Sequence, residues 1–149
     1  MHSAGVRLTK FTDLALRVVL RLAQSHSAQL ITAREVSVAV GAPYSHVAKA
    51  VSRLQHLEIV DARRGRNGGL ALTSFGRNTS VGWIVRELEG VGDVVGCTDD
   101  PPCPLLRGCR LRDALRTAQE EFFASLDRVT VRELAEGSPL GLARRPATT

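Results

Sequence analysis

Apolar and polar positions follow helical and strand periods in a definite order along the chain. From about residue 10 to 24, Phe11, Leu14, Ala15, Val18 and Leu22 recur at helical spacing, with Thr9 where an N-cap belongs. A shorter pattern over 33–40 turns Val36 and Val40 inward behind the N-cap Thr32, and stops at Gly41-Ala42-Pro43. A third runs from about Ser45 to Leu57 with Val47, Ala50, Val51 and Leu54 on one face. Two helices joined by a short glycine-containing turn predict a helix-turn-helix.

The period then drops to two. Ile59-Val60-Asp61-Ala62 and Leu70-Ala71-Leu72-Thr73 read as short strands around the basic segment Arg63-Arg64-Gly65-Arg66-Asn67-Gly68-Gly69. Asn67-Gly68 is the expected hairpin turn, because both residues tolerate positive φ. Helix, turn, helix and basic hairpin compose a winged helix. An ordinary surface hairpin with solvated arginines is the alternative; the basic helix directly before it favours a wing.

Helical spacing resumes near Ser80–Glu89 through Val81, Ile84, Val85 and Leu88, and Gly90 ends it. Pro101, Pro102 and Pro104 exclude regular helix from the next segment. A long helix is expected over Arg110–Leu126, where Leu111, Leu115, Ala118, Phe122 and Leu126 form a stripe close to a coiled-coil seam. Packing on its own domain is one use for that stripe; packing on a second copy suits a helix this long better, so a homodimer is expected. Thr130–Ala135 adds a last turn. The fold class is therefore mainly α with a small β-hairpin: a winged helix-turn-helix plus a long C-terminal dimerisation helix. The expected organisation is a DNA-binding domain over 1–75, a cysteine loop and dimerisation helix over 76–136, and a flexible tail over 137–149.

Charge adds a partner to this architecture. Residues 1–75 hold ten Lys and Arg against four Asp and Glu, a balance of +6, whereas 76–149 hold ten against eleven. Eighteen of the twenty basic residues are arginine, which suits forked contacts to phosphates and guanine edges. A GC-rich genome would explain the arginines, but not their concentration in one half. Double-stranded operator DNA is the expected partner. On the third helix Tyr44, Ser45, His46, Lys49 and Arg53 are the candidate contacts, with Ser45, Lys49 and Arg53 one turn apart. His46 could touch a base edge or cap the helix start. Arg63, Arg64, Arg66 and Asn67 would reach the minor groove or the backbone from the wing.

No apolar run reaches 18 residues, so no membrane span is expected. Lys10, Asp13 and Arg17 interrupt the N-terminal segment where a secretory signal would be apolar. A cytoplasmic protein with reduced thiols is expected. No glycine-rich phosphate loop, H-E-x-x-H or nucleophile–base pair is present, which argues against an enzyme.

The cysteines carry the remaining chemistry. Cys97, Cys103 and Cys109 are the only three, and five residues separate each from the next. An odd number cannot close into disulfides without a remainder. Three thiolates on a proline-broken loop suit an iron–sulfur cluster. Structural zinc is less well served, since it favours short C-x-x-C knuckles and four protein ligands; free structural cysteines are the plain alternative. A four-iron cubane needs one ligand more, from Asp, Glu, His, water or a small molecule. The four histidines, His2, His26, His46 and His56, all precede the cysteine loop. An iron–sulfur protein with an electron-transfer or enzymatic role would have no use for the basic wing.

Four stretches together resemble a known family: Leu8-Thr-Lys-Phe-Thr-Asp13-Leu-Ala-Leu16, Val47-Ala-Lys-Ala-Val-Ser-Arg-Leu54, Arg63-Arg-Gly-Arg-Asn-Gly-Gly-Leu70, and the evenly spaced cysteines. The chain is similar, over residues 7 to about 135, to the iron–sulfur winged-helix regulators typified by NsrR and IscR. The stretch Val81-Gly-Trp-Ile-Val-Arg-Glu-Leu-Glu-Gly90 looks like the actinobacterial NsrR type. The resemblance implies a homodimeric repressor with one 4Fe–4S cluster per subunit, nitric oxide as the signal, and nitrosylation of the cluster as the event that releases DNA and derepresses nitric-oxide detoxification genes. IscR-type members place a ligating histidine three residues after the third cysteine; here that residue is Arg112. The NsrR pattern instead implies Asp13 as fourth ligand, supplied across the dimer. By its own position, Asp13 suits the first turn of a helix and a pair with Arg17. A redox or iron–sulfur-status sensor of the same family, and a zinc-stabilised winged-helix protein, are the rival readings.

Overall fold

The structure, a computed structural model, describes residues 6–25 and 28–137. In chain order its helices and strands are α1 Lys10–Ala23, α2 Ala33–Val40, α3 Tyr44–His56, β1 Val60–Arg63, β2 Gly69–Leu72, α4 Ser74–Asn78, α5 Val81–Glu89, α6 Arg110–Asp127 and α7 Val131–Gly137. Two compact units result: one holds the residues up to Thr79 and those from Thr130 onward, the other Ser80–Val129.

In the first unit the helix ends are fixed locally. The Thr9 hydroxyl accepts from the Thr12 backbone N–H at the start of α1. At α2 the cap is reciprocal: Glu35 N–H donates to Thr32 Oγ1 at 3.1 Å, and Thr32 N–H donates to Glu35 Oε2 at 2.7 Å. Gly41 closes α2 in the left-handed conformation, φ +67°, and Ala42 N–H reaches back to the Ser37 carbonyl. Pro43 then precedes α3, with its φ fixed where the chain must re-enter a helix. The expected inward faces are observed, since Ala15, Val18, Leu22, Val36, Val47, Ala50, Val51 and Leu54 are all buried. Phe11 and Val40 lie further out than their spacing suggests.

β1 and β2 pair antiparallel, Val60 opposite Leu72 and Arg63 opposite Gly69. Ile31 adds an isolated antiparallel bridge to β2 by exchanging both backbone hydrogen bonds with Leu70, at 3.1 and 2.7 Å. The turn differs from the expected one. Positive φ falls at Gly65 (+102°) and Gly69 (+156°), not at Asn67 or Gly68. Gly68 N–H bonds the Gly65 carbonyl, so Arg66 and Asn67 form the crown of a five-residue loop. A two-residue turn at Asn67-Gly68 would pair Gly69 with Arg66, three residues out of the register observed, in which Gly69 pairs with Arg63.

α4 was not visible in the periodicity, being a single turn capped by Thr73 through Gly76 N–H. α7 carries a second reciprocal cap, between Thr130 and Glu133, and buries Val131. It packs on α1 and α4, so the last helix belongs to the first compact unit, whose earlier stretch ends at Thr79. Of the expected tail, 137–149, all but Gly137 lies outside the described residues.

The second unit is a helix pair. α5 begins at the N-cap Ser80 and packs on α6. Arg86 ties the two, with its guanidinium 2.6 Å from Asp127 Oδ1 and stacked 4.9 Å from the Phe123 ring centroid. Between them residues 90–109 run as turns and bends.

Candidate DNA-reading face and cysteine loop

α3 has one buried face and one solvent face. With Val47, Ala50, Val51 and Leu54 inward, the period of 3.6 leaves Tyr44, Ser45, His46 and Lys49 exposed and Arg53 half-buried. Arg34 of α2 lies 5.3 Å from the Tyr44 ring centroid, a cation–π contact that steadies the first side chain of α3. Nothing in the residue spacing pointed to Arg34, because the contact depends on how α2 and α3 cross. β1 follows α3 closely, and Arg63, Arg64, Arg66 and Asn67 at the hairpin tip are all exposed. The candidate DNA contacts thus lie on solvent-facing surfaces of the first unit. Asp13 is also in this unit, on the first turn of α1, exposed and bonded through both oxygens to Arg17.

The three cysteines lie in the second unit and are all free thiols, Cys97 buried and the other two half-buried. The loop folds back on itself: Cys103 N–H bonds the Cys97 carbonyl at 3.1 Å, and Leu106 N–H the Cys103 carbonyl at 3.1 Å. Cys109 is the N-cap residue of α6 and makes no side-chain cap. Burial pushes the Cys97 thiol above its ordinary pKa, and the neighbouring Asp93 carboxylate adds to that. Arg112 opposes the rise, while Cys103 and Cys109 reinforce it. Among the described residues, no group of three or more His, Cys, Asp or Glu is close enough to hold a metal ion. The donor set nevertheless fits an iron–sulfur cluster in kind, being three unpaired soft ligands on one loop, and is one ligand short of four.

Asp93 is a residue the sequence did not single out. Arg112 grips it with two bonds, Nε to Oδ1 and Nη2 to Oδ2, both 2.8 Å. Arg116 stands 3.9 Å from the same carboxylate. Hydrogen bonding by Arg112 holds the Asp93 carboxyl below the ordinary aspartate range against the opposing effect of burial.

Comparisons with known proteins identify the family. The profile of Rrf2, the iron-dependent transcriptional regulators, matches residues 8–137. The chain belongs to the Rrf2 family. Within it, the chain is 58% identical over 147 residues to the HTH-type transcriptional repressor NsrR of Streptomyces coelicolor, covering 95% of this chain and 99% of that one. The Rrf2 fold is matched by the B. subtilis global cysteine regulator CymR, with TM-score 0.68 and 25% identity over 90% of this chain and 99% of that one. T. potens IscR matches with TM-score 0.75 and 17% identity over 97% and 95% of the two chains. A mainly helical winged-helix fold and a non-enzymatic transcriptional regulator homologous to a repressor are thereby shown. Among the described residues of this Rrf2 protein, no helix is long and apolar enough to cross a membrane.

Proposed function

We propose that this protein is a cytoplasmic, homodimeric repressor that binds double-stranded operator DNA and answers nitric oxide through one 4Fe–4S cluster per subunit. The observation that carries the reading is a single loop bearing three free thiols in a chain that also presents a basic, solvent-facing helix and wing. The likeness to an NsrR repressor supports nitric oxide as the signal and its detoxification genes as the target.

Cys97, Cys103 and Cys109 would hold the cluster, with Asp13 of the partner subunit as the fourth ligand. When bound, the cluster supplies an iron held by oxygen rather than by a soft thiolate, the one most open to a small ligand. The protein's part is mechanical. Asp13 stands on α1 of the unit that carries α3, so a bond from Asp13 to the partner's loop links the loop of one subunit to the reading helix of the other. A dimer reads half-sites about 34–36 Å apart, and a lost link alters the spacing of two α3 helices by enough to weaken that fit.

The α6 stripe supports the dimer. Leu111 is 65% and Phe122 44% exposed, apolar area that one chain leaves uncovered. The deciding experiment is anaerobic purification with iron and sulfide assay, followed by nitric-oxide titration while operator binding is monitored. A brown protein that binds DNA and releases it as nitric oxide is added is expected. A colourless, zinc-loaded protein, or a cluster protein whose DNA binding ignores nitric oxide, would overturn the reading.

A further inference from the structure

Asp93 stands just before the cysteine loop, and Arg112 stands three residues after its last cysteine. Their two-bond ion pair closes the neck of a segment, residues 94–111, that contains all three thiols. The pair is well sheltered, the Asp93 side chain being 9% and that of Arg112 25% exposed. A carboxylate this covered is stable only with its countercharge in place. Little else organises the segment: before α6 begins at Arg110 it has no helix or strand, its prolines remove three backbone donors, and Leu105 and Leu111 point to solvent. Loop closure is entropically unfavourable, and a closed neck removes part of that cost before any ligand arrives.

We infer that Asp93 and Arg112 form a clasp that preorganises Cys97, Cys103 and Cys109 for the cluster, with Arg112 acting as a positioning residue and not a ligand. The inference rests on the reading of these cysteines as cluster ligands. Both guanidinium edges that face Asp93 are occupied by it, and Arg116 reinforces the same carboxylate one turn further along α6. This makes Asp93 the centre of the clasp. Its loss frees both arginines, whereas loss of Arg112 leaves Arg116 as a partial substitute. Supporting groups of this kind typically alter metal retention by about 10- to 100-fold.

The test compares wild type, Asp93→Asn, Arg112→Gln, Arg112→Lys and the swapped double variant Asp93→Arg with Arg112→Asp. Each is assayed anaerobically for iron and sulfide, for the rate of iron release to a chelator, and, as apo-protein, for backbone hydrogen exchange over 94–111. Asp93→Asn should release iron about tenfold faster than wild type, Arg112→Gln less so and Arg112→Lys least. Exchange over the loop should quicken in the same order, and the swapped pair should restore much of both. Wild-type release and exchange in Asp93→Asn would overturn the clasp while leaving the cluster standing. A wild-type protein without iron and sulfide would overturn both, a distinct result. If the glutamine variant fails to fold, Arg112→Lys and the swapped pair still decide between them.

Discussion

Arg17 engages both carboxylate oxygens of Asp13, Nε to Oδ1 at 3.0 Å and Nη2 to Oδ2 at 2.8 Å, from one helical turn away. Both side chains are more than half exposed, so the pair is screened and contributes well under about 1 kcal/mol. Under the proposed function, ligation of iron would compete with Arg17 for the same oxygens, and the weak pair is easily given up. Asp13→Ala is expected to leave a cluster that assembles on three thiolates but has a changed absorption spectrum and a changed response to nitric oxide. Arg17→Ala is expected to leave the spectrum as it is. Identical spectra and nitric-oxide responses for wild type and Asp13→Ala would remove Asp13 from the ligand set.

Lys49→Ala and Arg64→Ala should weaken operator binding, because both side chains are on exposed basic surfaces of the reading unit. If each meets a phosphate, the slope of log affinity against log salt should fall by about one per substitution. Affinity measured from low to moderate salt checks this, and unchanged slopes would move the DNA elsewhere.

Replacing Leu115 and Phe122 with aspartate should give monomers. Leu115 is half-buried and Phe122 exposed in the single chain, so the charges leave the α5–α6 packing mostly intact while facing a partner in the proposed seam. Sedimentation velocity reports the outcome. A persistent dimer would place the interface on another face.

Gly82→Ala should destabilise the protein by about 1–3 kcal/mol, as overpacking does. A Cβ at residue 82 would meet the Asp127 carboxylate and lie 2.7 Å from both the Asp127 nitrogen and the Phe123 carbonyl oxygen, where α5 presses on α6. Thermal melting of the variant is the measurement.

Glu35 supplies a pH dependence. The Thr32 backbone N–H and then its hydroxyl hold the Glu35 carboxyl below the ordinary glutamate range. A carboxyl lowered in the folded state adds stability that is complete above its unfolded pKa and lost as pH falls through the folded one. Glu35→Gln should melt lower than wild type at neutral pH, and the difference should shrink on acidification below about pH 4.3. A constant difference down to pH 3 would show that the charge of Glu35 is not what the cap uses.

The sequence exposed most of this fold because its signals are local. Thr9, Thr32, Thr130 and Gly41 each act on residues a few positions away, so the helices they bound could be read within a residue or two. The wing's turn was misplaced because Asn67-Gly68 is a good two-residue turn in isolation, while the strand register, set partly by Ile31 against Leu70, fixes a longer loop. On α6 the stripe is legible in the sequence, but the contact that the helix makes within its own unit is not. Phe123, just off the stripe, is the residue buried against α5, whereas Leu111, Ala118 and Phe122 face outward. The Asp93–Arg112 pair spans nineteen positions, and no periodicity reports a contact of that range.

The route of the chain has a consequence of its own. It leaves the first unit at Thr79 and returns at Thr130, and the Val131 N–H bonds the Thr79 carbonyl at 3.1 Å, so exit and entry lie side by side. Residues 80–129 are thus an insertion with adjoining ends, closed on their own side by Val81 N–H on the Val129 carbonyl at 2.8 Å. Insertions whose ends meet are readily exchanged, since the host need not stretch to accept them. A replacement segment could be grafted between Thr79 and Thr130 while the first unit keeps its own caps, hairpin and core, provided that it also brings the dimer seam proposed for α6.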